Sequence, residues 1–220
     1  MKKIPTLFKR VFSPDHKTKT ILPEVTPGCE AVLEGRCIPT VKWDGACCAI
    51  INGEIYKRYD AKIGKGGKQK QPPEGAIPCQ PEPDPITGHW PHWVKCIKGK
   101  SEDKYFFEAE EATKCIWTVG RPSDALPDGT YEAIGPAWQS NPYHTIDNWL
   151  KPHGVDTLQE SDLLRSLGGA TPEEALMLLR FFFRTHEIEG IVFWLNGQPL
   201  CKIKRSDFGF PWPIKKGENA

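Results

Sequence analysis

Two Asn-Gly dipeptides constrain the fold of this chain more than any other feature. Asn52-Gly53 separates the runs 46–51 and 54–59, and Asn196-Gly197 separates 191–195 and 199–204, all four runs being rich in apolar or aromatic residues. A two-residue loop with φ > 0 at both positions suits Asn followed by Gly, and its twist matches that of paired strands. Both dipeptides therefore predict antiparallel hairpins. Further strands are expected at 105–109, 115–119 and 130–134, where aromatic and β-branched residues concentrate. Residues 64–91, dense in Gly, Pro, Lys and Gln, read as one long loop.

One helix is legible from its start signal. Thr171 caps, Pro172 occupies the first helical position, and Glu174 completes a capping box; Ala175, Leu176, Leu178, Leu179, Phe182 and Phe183 then form one broad apolar face. A shorter helix is expected around 161–167. Strand-rich sheets with a few packed helices make an α+β fold, and 220 residues suit a single domain spanning 1–220. No internal repeat is visible.

Charge is nearly balanced, 29 Lys+Arg against 28 Asp+Glu, so any polyanion site has to be built locally. Basic residues group at Lys2, Lys3, Lys9 and Arg10, across 57–70, and at Lys202, Lys204 and Arg205. The eight cysteines come without an apolar N-terminal segment, and Cys47 and Cys48 would point to opposite faces of one strand. A reducing, cytoplasmic location is expected, and no stretch is long and apolar enough to span a membrane.

Three short motifs carry chemistry. In Lys42-Trp43-Asp44-Gly45 a lysine, expected on the first hairpin, precedes an apolar run, which suits a nucleophile if burial or nearby cations free its lone pair. An exposed lysine entering a turn gives the same pattern. Glu189-Gly190-Ile191-Val192 puts a carboxylate where a strand begins, either as a metal ligand or as a solvent-facing turn residue. Lys202-Ile203-Lys204 aligns two cations on one strand face, a phosphate grip or an exposed basic surface.

In their order, these motifs resemble the covalent nucleotidyltransferase superfamily of ATP-dependent RNA and DNA ligases and mRNA capping enzymes. Tyr56-Lys57-Arg58 and Gly129-Thr130-Tyr131-Glu132 match two further motifs of that set. The strings Ile38-Pro39-Thr40-Val41-Lys42-Trp43-Asp44-Gly45-Ala46-Cys47-Cys48, Gly88-His89-Trp90-Pro91-His92-Trp93-Val94, Asn141-Pro142-Tyr143 and Asp207-Phe208-Gly209-Phe210-Pro211-Trp212-Pro213 look like the stand-alone 5′-3′ RNA ligase family known from animals, in a shortened form.

The resemblance implies a nucleotidyltransferase (ATP-grasp-like) fold of antiparallel sheets with packed helices. Because the chain ends soon after Lys204, it is expected to lack the OB domain. It implies ATP and Mg2+ (or Mn2+) as cofactors, and a monomer acting on RNA with 5′-phosphate and 3′-hydroxyl ends. Lys42 would accept AMP. Lys202 and Lys204 would neutralise the α-phosphate and Glu189 would hold the metal. Arg58 would contact the nucleotide sugar or the RNA 5′-phosphate, Glu132 the ribose hydroxyls, and Asp44 and Gly45 complete the nucleotide-binding set.

Two positions depart from several RNA ligases. Val41 stands where a glutamate reads adenine, and Cys47 where an arginine follows the nucleophile. Base selection would then fall to backbone groups and an aromatic residue such as Trp149, for which a core role is the alternative. A DNA ligase, a guanylyltransferase and a non-catalytic nucleic-acid-binding module are the rival readings.

Overall fold

The computed structural model describes residues 4–14, 19–64, 69–85, 87–117 and 125–214. In chain order the elements are β1 (Phe8–Phe12), β2 (Lys19–Val25), β3 (Ile38–Lys42), β4 (Ala46–Ile51), β5 (Glu54–Lys62), β6 (Ile77–Pro78), β7 (His89–Lys95), α1 (Lys104–Trp117), β8 (Gly129–Ile134), β9 (Trp149–Pro152), α2 (Asp162–Arg165), α3 (Pro172–Thr185), β10 (Gly190–Leu195) and β11 (Gln198–Lys204). All strand pairings between these elements are antiparallel, and the architecture is α+β.

The chain forms two compact units. The first, here the three-stranded unit, comprises Ile4–Trp43 and the chain from Gly154 onward. It contains the sheet β11-β10-β3 and the hairpin β1-β2. Its core gathers Ile191 and Phe193 of β10, Cys201 and Ile203 of β11, and the apolar face of α3. Ala175, Leu179, Phe182 and Phe183 are fully buried there, as a helical repeat requires. The capping box that starts α3 is formed, with Thr171 and Glu174 each bonding the other's backbone N–H.

The six-stranded unit, Asp44–His153, carries the sheet β6-β7-β5-β4-β8-β9. Its separate core joins Cys48, Ile50, Ile55, Tyr131 and Leu150 to Phe106 and Ala109 of α1. Both expected hairpins form. Asn52 and Gly53 have φ of 52° and 73°, and Asn196 and Gly197 have 50° and 73°, the left-handed pair that a type I′ turn needs.

Three expectations are corrected. Residues 105–109, and 115–117 of the expected second strand, belong to helix α1; 118 and 119 lie outside the described residues. The aromatic run 105–107 satisfies a strand pattern, but buried Phe106, Ala109 and Thr113 recur at helical spacing, and Glu110 pairs with Lys114 one turn on at 2.7 Å. The long loop is interrupted by β6 and ends where β7 begins at His89. Lys42, expected on the first hairpin, instead ends β3, which pairs with β10 of the second hairpin.

Candidate active site

Strand pairing gathers the lysines at one end of the three-stranded sheet. Gly190, the first residue of the central strand β10, lies opposite Lys42 on one side and Lys204 on the other. Glu189 immediately precedes it, so two strand ends deliver a lysine to one carboxylate. The carboxylate is buried at 4 % exposure; its Oε2 accepts from Lys42 Nζ and its Oε1 from Lys204 Nζ. Gly190 permits the close packing, since a Cβ there would stand 2.5 Å from the Ile203 carbonyl oxygen.

Lys202 shares the face of β11 that carries Lys204, alternating with buried Cys201 and Ile203. Unlike the other two lysines, it touches no carboxylate among the described residues. Burial pushes its ammonium down to about 8, and the charges of Lys42, Lys204 and Arg10 push the same way, opposed by Glu189.

The end of β3 is held from outside the sheet. Val41 N donates to the Asp156 carbonyl at 2.9 Å, and Trp43 Nε1 donates to the Asp156 carboxylate at 2.8 Å. Thr40 Oγ1 accepts from Trp194 Nε1 at 2.9 Å. These contacts fix the strand that presents Lys42. Arg205, grouped with the lysines in the sequence, is instead a buried staple. It donates to the carbonyls of Phe183 and His186 at the end of α3 and to Pro211.

In the six-stranded unit the remaining motif residues form a hydrogen-bonded scaffold. Gly45 N donates to Glu132 Oε1 at 3.1 Å, and Glu132 Oε2 lies 3.1 Å from His153 Nε2. Asp44 N donates to Tyr143 Oη at 2.6 Å, and Gln139 Nε2 donates to the Gly45 carbonyl at 3.3 Å. The segment that brings Gln139 and Tyr143 is wound tightly, with Gln139, Ser140 and Asn141 all at positive φ. Left-handed conformations in three successive non-glycine residues are costly and need such tethers. Gly45 is required because a Cβ would sit 2.0 Å from the Ala133 carbonyl oxygen.

Arg58 is bound to Asp60, its Nε donating at 2.9 Å, and it also reaches the Cys47 thiol. Cys47 lies opposite Glu132 on the neighbouring strand. Burial pushes the Cys47 thiol up to about 12, with Glu132 adding and Arg58 opposing.

Lys42, Glu189, Lys202 and Lys204 are thus brought together within one unit, and Asp44, Gly45 and Glu132 within the other. Sequence reasoning missed Asp156 and Asp207 in the first and Gln139 and His153 in the second, and it placed Arg10 in the N-terminal basic group without joining it to the lysines. Among them only Asp207 had a local signal, a carboxylate three residues after Lys204 where a short 3₁₀ turn needs a cap.

No set of three or more His, Cys, Asp or Glu side chains able to hold a metal occurs among the described residues. The lone Glu189 carboxylate still fits a magnesium ion that arrives with a nucleotide, because magnesium is commonly held by one or two carboxylates plus substrate phosphates. No helix among the described residues is long and apolar enough to cross a membrane.

No family model matches the chain. Curated proteins do: RNA ligase 1 of Pongo abelii is 25 % identical over 238 residues, covering 80 % of this chain and 69 % of that protein. RNA ligase 1 of Mus musculus is 25 % identical over 237 residues, covering 80 % and 68 % respectively. The resemblance to animal RNA ligases carried by the motifs therefore extends along most of the chain.

Proposed function

We propose that this chain is an ATP-dependent RNA ligase that joins 5′-phosphate and 3′-hydroxyl ends through lysyl-AMP and RNA-adenylate intermediates, residues 1–220 serving as one nucleotidyltransferase domain. The observation that carries the reading is Glu189 clasped between Lys42 and Lys204 at one end of the β11-β10-β3 sheet. A nucleophile, a carboxylate and phosphate-neutralising cations are what in-line phosphoryl transfer needs, since its catalysis is mostly positioning and charge stabilisation. Similarity to proteins named RNA ligase 1 supports RNA as the substrate.

Lys42 attacks as a free amine, so its contact with Glu189 opens and its ammonium gives one proton to water before the bond forms, and a second proton passes from the nitrogen to water as lysyl-AMP forms. Its Nζ then bonds to the α-phosphorus of ATP while the bond to the bridging oxygen breaks, and pyrophosphate carries that electron pair away. Lys202 and Lys204 neutralise the charge that accumulates on the α-phosphate oxygens. Magnesium or manganese, held by Glu189 together with the ATP phosphates, supplies further neutralisation when bound.

Asp44 and Gly45 bind the nucleotide, Glu132 the ribose hydroxyls, and Arg58 the nucleotide sugar or the RNA 5′-phosphate. These roles follow the motifs. AMP then passes from Lys42 to the RNA 5′-phosphate, and a 3′-hydroxyl displaces it.

Intact mass after incubation with ATP and magnesium tests the first step: the wild-type chain gains one AMP and Lys42→Ala gains none. Sealing of a 5′-phosphorylated RNA, compared with matched DNA, tests the substrate. Covalent label from GTP but not ATP, or no mass gain with either magnesium or manganese, would sink the reading.

A further inference from the structure

One cation beside the lysines has no part in the scheme above. Residues ahead of β1 close the outer edge of β11: Leu7 N donates to the Lys202 carbonyl at 2.8 Å, and Lys202 N donates to the Pro5 carbonyl at 3.1 Å. Strand β1 then carries Arg10 to Asp207, where Nη2 donates to both carboxylate oxygens at 2.6 and 2.7 Å. The Asp207 side chain is fully buried and also accepts the Lys204 N–H at 2.8 Å. One buried carboxylate thus ties Arg10 to the main chain of Lys204.

The way Arg10 is held leaves donors over. An arginine fork usually meets a carboxylate with two nitrogens in parallel. Here Nη2 alone serves both oxygens, and Nε is buried with no partner among the described residues. Lys202, which the scheme gives to the α-phosphate, lies within the electrostatic reach of Arg10, Lys42 and Lys204 and has no carboxylate of its own among the described residues. Among the described residues, four cations thus lie around two buried carboxylates, Glu189 and Asp207. That excess of cations over carboxylates among the described residues favours binding of a phosphate.

We propose that Arg10 and Lys202 form a phosphate subsite of the lysine cluster, with Asp207 as the positioning residue that holds the guanidinium end-on and fixes the Lys204 main chain. The ligand is a phosphate dianion, from the terminal phosphates of ATP or from the 5′ end of RNA. Choosing between those two sources rests on the ligase reading, whereas the subsite itself does not.

Calorimetric titration of the full chain with inorganic pyrophosphate tests the subsite without any turnover. Arg10→Gln weakens binding about tenfold or more, and Arg10→Lys, which keeps the charge opposite Asp207, recovers part of the loss. Should Arg10→Gln unfold, as judged by its melting curve, the graded loss in Arg10→Lys carries the same comparison. Equal affinity in wild type and the folded variants overturns the proposal.

The source follows from the step that changes. If ATP is the ligand, Arg10→Gln raises KM for ATP in Lys42 adenylation far more than it lowers kcat. If RNA is the ligand, the slowed step is AMP transfer from preformed lysyl-AMP to a 5′-phosphorylated RNA. If neither step changes, Arg10 has no place in the site. Should wild type form no lysyl-AMP yet bind pyrophosphate through Arg10, the subsite stands and the ligase reading falls.

Discussion

In the three-stranded unit, Lys42 ends its strand among like charges, sharing one carboxylate with Lys204, and Lys202 has none among the described residues. Two residues further along the chain, in the six-stranded unit, the backbone of Asp44 and Gly45 is met by Tyr143, Glu132 and Gln139. One region keeps electrostatic free energy unspent, and the other satisfies its polar groups and so holds its geometry. The two regions keep these different properties because each lies on its own sheet and is backed by its own core.

The largest expected effect comes from removing the carboxylate that Lys42 and Lys204 share. Glu189→Gln leaves Lys42, Lys202 and Lys204 uncompensated and should cost about 3 kcal/mol of stability, with adenylation falling by two orders of magnitude or more. Denaturant melts and intact mass would measure both. A variant as stable as wild type would show that the lysine cluster stores no such strain.

Next come the glycines that let each region close. Gly45→Ala should cost roughly 2–4 kcal/mol, because the added Cβ meets the Ala133 backbone rather than a movable side chain. Gly190→Ala, where the clash is 2.5 Å instead of 2.0 Å, should cost less. Paired chemical melts rank them, and the reverse order would mean that β10 is the more rigid of the two settings.

A smaller effect reports the surplus charge directly. The Lys202 ammonium falls to about 8 from an ordinary 10.5, so between those pH values the folded chain releases a proton that the unfolded chain keeps. Below pH 8 both states are protonated and the cost of the buried charge is fully present; above it, stability rises with pH until about 10.5. Lys202→Met should therefore stabilise the chain near pH 7 by on the order of 1 kcal/mol and flatten that rise. Melting temperatures across pH 7 to 10.5 would show it; a wild-type profile without the rise contradicts the charge surplus.

The smallest effect belongs to the satisfied region. With its thiol at about 12, Cys47 should resist iodoacetamide at pH 8 while exposed Cys115 is alkylated. Peptide mass spectrometry follows both. Equal rates would mean that the scaffold around Glu132 opens readily.

Both hairpins were legible because a type I′ turn is specified by two adjacent residues and the alternation beside them. Helix α3 was legible for a similar reason, its capping box and apolar repeat lying within one short segment. Helix α1 was not, because Tyr105, Phe106 and Phe107 fit a strand as well as a helix. Only its packing, which buries Phe106 and Ala109 on one side, decides between them. In the candidate site, Lys42, Glu189, Lys202 and Lys204 were found from motifs, while Arg10 and Asp207 were not: their pairing spans 197 residues.

By itself, then, the sequence determined where strands turn, where one helix starts and which charged side chains its short motifs hold, since each depends on neighbours along the chain. It could not assign Lys42 to a sheet. The ion pair of Lys42 with Glu189 joins residues 147 apart, and strand pairing over such a distance is decided by which faces bury each other. The tertiary structure put Lys42 beside β10 and set Gly45 against Glu132 and Ala133 of β8. That choice divides one four-residue motif between the two compact units, with Lys42 and Trp43 in one and Asp44 and Gly45 in the other.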